Sequence, residues 1–184
     1  MNKFYEHFKT ITYHKYLVMK YCFRMGLFKQ GITHDLSKYS PTEFLVGVKY
    51  FQGHRSPNNA EREDKGYSSS WLHHKGRNKH HYEYWLDYGG NKEQPFIGMR
   101  IPENYIVEML ADRIAACKVY QKDKYTNESP LKYYIQGRDF VVMHEESKEL
   151  LEKLLYMLAK KGERYTFKYA RKIVRDLKRG KNVI

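Results

Sequence analysis

The chain has 184 residues, 41% of them hydrophobic and 16% aromatic, enough for one packed domain and too many for wholesale disorder. Its formal net charge of +13 favours an anionic substrate or partner and is silent on fold. No apolar run approaches the roughly 18 residues of a membrane span, the opening MNKFYEHFKT lacks the apolar stretch of a secretory signal, and Cys22 and Cys117 are too few for a disulfide framework. A cytoplasmic protein with no membrane partner is expected.

Prolines stand at 41, 57, 95, 102 and 130, which leaves residues 1–40 and 131–184 open to long helices. Ile11, His14, Leu17/Val18, Cys22 and Met25 recur at helical spacing and predict one face of a helix over 3–25. Gly26 and Gly31 end it, Thr33 can cap a second helix, and Phe44, Val48 and Phe51 give that helix an apolar side. Residues 52–70, rich in Gly, Pro, Asn and Ser, read as a lid-length loop carrying His54, Arg55 and Arg62. A helix over about 70–88 is expected next, weakened at Gly76, and then a loop over 89–101. Pro102 opens a helix running to about 122, and 130–137 form a short one. Leu150/151, Leu154/155 and Leu158 mark an amphipathic helix over 145–161 that Gly162 stops, and Phe167, Ala170, Ile173/Val174 and Leu177 mark a basic one over 164–179. No stretch alternates usefully as a strand. The fold expected is all-α, with residues 1–140 as the main helical domain and 141–184 as a basic helical extension packed on it.

Nine histidines stand out, and their placement matters more than their number. A lone histidine such as His14 on an apolar stripe is more often a satisfied core residue than a ligand. His34-Asp35 puts an imidazole beside a carboxylate about 100° apart on a helix, where the first can bind one divalent ion and the second can bridge two. In WLHHKGRNKHHYEYW, residues 71–85, steps of 3 and 4 place Trp71, His74, Asn78, His81 and Trp85 on one stripe, with His73 and His80 on a more exposed neighbour. Such a stripe, if buried, needs a cation or carboxylates as partners. A phosphate- or nucleic-acid-binding surface is the other reading. Of the paired histidines, His74 and His81 are favoured as ligands, then His80. Asp112 faces an apolar helix side beside Ala115 and Ala116, which calls for a cation or for Arg113 or Arg24 as an ion-pair partner, and Glu108 one turn earlier can orient a ligand. Imidazole and carboxylate without thiolate suit iron, manganese, cobalt, nickel or zinc.

In chain order His14, His34-Asp35 and Asp112, each on an expected helix, resemble the HD-domain superfamily of metal-dependent phosphohydrolases. The resemblance covers about residues 10–120. It implies an HD-like helical bundle with a C-terminal helical pair, one or two divalent transition-metal ions, and hydrolysis of a phosphate ester through a metal-activated water. His14, His34, Asp35 and Asp112 match the family's minimal ligand set, and His74 and His81 fall where multi-metal members add histidines. THDLSK looks like the version in which a lysine faces the substrate phosphate, which carries that role to Lys38. The segments HDLSKYSPTEF, HHKGRNKHHYEYW and EMLADRIAA are also similar to an uncharacterised bacterial and phage family. Arg77, three residues after His74, is expected to neutralise charge on the phosphoryl group beside Lys38. The expected substrate is a phosphorylated small molecule, a nucleotide first, and a homodimer fits the implied fold. Two other classes stay open: a di-iron oxygenase built on the same ligands, and a nucleotide- or nucleic-acid-binding module with a vestigial site, for which the basic, aromatic KKGERYTFKYARKIVRDLKRGK speaks.

Overall fold

A computed structural model describes residues 2–90 and 92–181. Position 91 of the expected 89–101 loop, and residues 1 and 182–184 at the ends of the two expected units, lie outside the described residues.

Helix α1 (Lys3–Met25) starts where the Asn2 side chain accepts from the Phe4 and Tyr5 amides, and ends at Gly26 with φ 86°, a left-handed conformation that glycine adopts without penalty. Its stripe of Ile11, His14, Leu17, Val18, Cys22 and Met25 is buried, as the spacing predicts. It packs on α6 (Glu103–Gln121), the central helix, in which Ile106, Val107, Leu110, Ala111, Ile114 and Ala115 are fully covered. The third wall is α8 (Glu145–Lys178), whose two predicted helices run on through a kink at Gly162, φ 75°. Leu150, Leu151, Leu154, Leu155 and Leu158 before the kink, and Phe167, Ala170, Ile173 and Val174 after it, join one core with α1 and α6. The short α7 (Ser129–Gly137) leans on α6 and α8. The fold is all-α, with one two-stranded hairpin among the described residues. No described helix is long and apolar enough to cross a membrane.

The middle of the chain departs from the expectations. Thr33 does not cap a helix: it is the last residue of α2 (Phe28–Thr33). His34 and Asp35 therefore sit on a turn, not on a helix, followed by a single 3-10 turn, Leu36–Tyr39, and by α3 (Pro41–Tyr50). The expected 52–70 loop contains α4 (Pro57–Lys65), opened by a proline in its first turn and stopped at Gly66. The expected 70–88 helix is only α5 (Ser69–Lys75), after which the chain turns at Gly76, winds one 3-10 turn at Tyr82–Trp85 and enters β1 (Leu86–Tyr88). β1 pairs antiparallel with β2 (Phe96–Gly98), so part of the expected 89–101 loop is strand.

Candidate metal centre

Four parts of the chain bring imidazoles and acids to one place. α1 supplies His14, α6 supplies Glu108 and Asp112, the turn after α2 supplies His34 and Asp35, and the segment from α5 to the following 3-10 turn supplies His74, His80 and His81. Asp35 has φ 53° and ψ 27°, a conformation uncommon outside glycine and tolerated best by Asp and Asn. Lys15 braces this turn by donating to the Ile32 and His34 carbonyls at 2.6 and 2.8 Å.

Asp35 lies at the centre and is 1% exposed. Its Oδ2 is 3.5 Å from His14 Nε2 and 3.2 Å from His34 Nε2, while Asp112 Oδ1 stands 3.0 Å from His14 Nε2. Its other oxygen, Oδ1, is 3.3 Å from His74 Nε2 and 3.4 Å from His80 Nε2. The two larger groups of possible ligands are His14/His34/Asp35/Asp112 and Asp35/His74/His80/His81, and His34, His80 and Glu108 form one small group, each group with donor atoms within 4.8 Å of one another. The two larger groups share one carboxylate that turns a different oxygen to each.

The backs of the imidazoles are held by acids. Glu108 Oε1 accepts from His34 Nδ1 at 2.9 Å and lies 3.3 Å from His80 Nδ1. Glu43 on α3, absent from the sequence reading, takes His74 Nδ1 on Oε2 at 2.8 Å and His73 Nδ1 on Oε1 at 2.7 Å. An N–H given to a carboxylate at Nδ1 leaves the Nε2 lone pair facing inward, the arrangement that metal-ligating histidines favour.

In the metal-free chain burial disfavours charge on His34, but Asp35 beside it and the bonds to Asp112 and Glu108 hold its pKa well above the usual range. Burial would raise Asp35 and Asp112, yet the imidazoles, with Lys38 in the case of Asp35, push both far down. Burial likewise opposes ionisation of Glu108, and His34 and His80 bring it down to about 2. His81 is held well below the imidazole range by burial and by its neighbours His80 and His74. Four acids, Asp35, Asp112, Glu43 and Glu108, thus lie ionised within an otherwise basic chain, with Lys38 Nζ on Asp35 Oδ2 at 2.6 Å as the lysine in contact. In the metal-free chain the imidazoles and Lys38 supply the balancing positive charge.

The donor set fits a divalent metal. His14 Nε2, His34 Nε2, His80 Nε2, His81 Nε2 and both Asp35 oxygens are buried without an aligned hydrogen-bond partner. Three of these nitrogens, on His14, His34 and His80, converge on the two Asp35 oxygens at 3.2–3.5 Å. Nitrogen and carboxylate donors without thiolate suit iron, manganese, cobalt, nickel or zinc. Cys22 and Cys117 are free and belong to none of these groups.

His80 corrects the sequence reading: it is 2% exposed and stands in the second group beside His74 and His81. Trp71 packs edge-on to His81 at 4.7 Å between ring centroids, whereas Trp85 is turned away, giving its indole N–H to the Lys79 carbonyl. Asn78 donates to Ser37 Oγ at 2.9 Å and to the His74 carbonyl at 2.8 Å, a brace for the chain rather than a ligand. Arg77 is exposed, donates to the His73 carbonyl at 3.1 Å and is not among the residues lining the cavity described next. The alternative ion pair of Asp112 with Arg113 or Arg24 does not form: Arg24 pairs with Glu163.

The cluster opens on a cavity of about 810 Å³, with Asp112 and Lys38 at its wall. His54, Arg55 and Arg62, expected on a lid, line it from α4 and the loop before it, and Tyr120, Tyr133 and Phe140 line it from α6, α7 and beyond. Arg55 is paired with Glu63 at 2.6 Å. Arg113, missed as a site residue, lines the cavity with its Nε buried and without a hydrogen-bond partner, and its guanidinium lies over the Tyr134 ring at 5.4 Å. A sequence signal did exist, since Arg113 directly follows Asp112, but the pair reads equally as an internal ion pair.

The fold and site define an all-α protein with a buried cluster of histidines and acids that could hold a metal ion. The chain belongs to a family of unknown function (DUF5662), whose model matches residues 3–157. No curated protein and no solved structure matches it.

Proposed function

We propose that the protein is a metal-dependent phosphohydrolase acting on a nucleotide or another phosphate ester. The observation that carries this reading is Asp35, one buried carboxylate offering Oδ2 to one group of ligands and Oδ1 to a second, beside a cavity lined by cations. The likeness of His14, His34, Asp35 and Asp112 to the HD-domain ligand set supports the same chemistry. His14, His34, Asp35 and Asp112 would hold one ion, and Asp35, His74, His80 and His81 a second. A bound pair of such ions lowers the pKa of a coordinated water and screens negative charge on a phosphoryl group.

The chain's own groups do the rest. Glu108 and Glu43 hold His34, His80 and His74 with Nε2 inward. Lys38, anchored on Asp35, stands where it neutralises charge growing on a phosphoryl oxygen. Arg113, which has no carboxylate within ion-pair distance among the described residues, takes the anion-binding role that the exposed position of Arg77 does not serve. Tyr120, Tyr133 and Phe140 offer apolar faces to the organic part of the substrate. A cavity of about 810 Å³ has room for a mononucleotide or a larger ester.

The test is elemental analysis of the purified chain, followed by phosphate release from a panel of nucleotides, cyclic dinucleotides and simple phosphomonoesters with the identified metal supplied. Metal-dependent release from at least one class is expected. A chain that carries no transition metal, even after reconstitution, or a loaded chain inert toward the whole panel, would overturn the assignment. Oxygen uptake by the iron-loaded chain without phosphate release would replace hydrolysis by di-iron oxygenase chemistry.

A further inference from the structure

We infer that Glu108 is a positioning residue that couples the two ion positions, so that they fill as a pair and not one by one; this rests on the metal-binding reading of the same site. A single oxygen of Glu108, Oε1, is 2.9 Å from His34 Nδ1 and 3.3 Å from His80 Nδ1. The far nitrogens of those rings belong to different groups: His34 Nε2 lies 3.2 Å from Asp35 Oδ2, and His80 Nε2 lies 3.4 Å from Asp35 Oδ1. Glu108, His34, Asp35 and His80 therefore close a ring of four side chains with a carboxylate at each pole. The two imidazoles run side by side, 4.4 Å between centroids and tilted by 35°.

Glu108 is itself held. Its Oε2 accepts from Gln30 Nε2 at 2.9 Å, and the same amide donates to the Asn104 carbonyl at 3.1 Å, which ties α2 to α6. The acid is 4% exposed, and both rings rest on its one oxygen Oε1. An ion entering either group aligns one ring on Oε1 and fixes one oxygen of Asp35. Because the other ring and the other oxygen belong to the same closed ring, the second position is ordered before its ion arrives, and the ordering cost of the second binding event falls.

Glu43 supplies an internal contrast. It also spans two imidazoles, but His73 belongs to no ligand group, so Glu43 touches one position only, through His74.

The experiment is a titration of the metal-free full chain with manganese(II), followed by electron paramagnetic resonance and by the amount bound. The parent chain is expected to take up two ions in one cooperative phase, with the spin-coupled spectrum of a pair appearing below one equivalent. Glu108→Gln should split this into two phases, each tenfold or more weaker, with an uncoupled mononuclear spectrum at one equivalent. Glu43→Gln should weaken that single phase without splitting it, because Glu108 still spans His34 and His80. Thermal melting without metal checks that the variants fold, and Glu108→Asp, which keeps the charge on a shorter arm, should restore part of the coupling. Two independent phases in the parent, or cooperative filling that survives Glu108→Gln, would overturn the inference and leave metal binding intact. Three ions per chain, the third lost in Glu108→Gln, would make Glu108 a ligand with His34 and His80 and overturn the positioning role. A parent chain that binds no manganese would overturn the reading of the site itself, and the inference with it.

Discussion

Residues 71–85 and residues 150–158 both set like residues three and four apart, yet only the second stretch is continuous helix. In α8 the repeated residues are leucines. Their burial on one face rewards the regular 3.6-residue period, and each of Leu151, Leu154, Leu155 and Leu158 is fully covered. In 71–85 the repeated residues are His74, Asn78 and His81, and what the fold rewards is convergence. Two ligands seven residues apart on one straight helix would stand about 10 Å apart along its axis, too far to share an ion. The chain breaks after Lys75 and folds back, which brings the His74 and His81 rings to 4.8 Å between centroids and swings His80 in beside them. Polar periodicity marks candidate ligands, whereas apolar periodicity marks a helix.

The sharpest way to break the comparison is Asp35→Ala. It should abolish activity and leave the purified chain with less than one metal per molecule, while far-UV circular dichroism stays near the parent, because Asp35 sits on a turn and not in the helical core. Full metal occupancy in that variant would remove Asp35 from its bridging place.

Leu154→Ala should do the opposite. It should lower the unfolding free energy by about 2–5 kcal/mol and leave the metal content unchanged, measured by denaturant unfolding beside elemental analysis. A midpoint equal to the parent's would show that α8 is not part of the core.

Arg113→Gln is next in size. Loss of one charge-assisted contact is worth about 1.5–3 kcal/mol, so KM should rise about tenfold or more with metal content unchanged, while Arg77→Gln, an exposed change, should leave KM alone. Equal effects from the two variants would remove Arg113 from substrate recognition.

The smallest effect concerns how α5 is anchored. Glu61 accepts from Ser68, Ser69 and Ser70 hydroxyls at 2.8, 2.6 and 2.9 Å and from Lys65 at 3.1 Å. Burial works against its charge, but these donors bring its pKa from 4.5 down to about 2. Its stabilisation is therefore complete above about pH 4.5 and disappears as the pH falls through about 2. Stability measured across that window should slope less in Glu61→Gln than in the parent; identical slopes would show that Glu61 does not anchor α5.

Much of the helical scaffold was legible in the residues themselves. The burial of Ile11, Leu17 and Met25 in α1, of Leu150, Leu151, Leu154, Leu155 and Leu158 in α8, and the kink at Gly162 follow from local pattern, because an apolar stripe and a positive-φ glycine act within one or two turns of chain. His14, His34, Asp35, His74, His81 and Asp112 were legible as ligand-type residues, and the structure brings all six together. Their local setting was not. The spacing around His34-Asp35 reads as a helix, but the position is a turn with positive φ at Asp35, held by Lys15 from α1, and nothing within a few residues of Asp35 encodes that brace.

The same limit applies to His80, Glu43 and Arg113. His80 looks exposed when 71–85 is drawn as one helix, and is buried because the chain reverses after Gly76. Glu43 reads as an acid in a helix's first turn, where the dipole alone explains it, until His73 and His74 arrive from α5. Sequence alone determined the class of fold, the three core helices and which side chains carry coordinating atoms, since these depend on short-range periodicity and on residue type. Tertiary structure alone decided which oxygens and nitrogens face one another, because a site assembled from four separated segments depends on how α1, α5 and α6 pack around one strained turn.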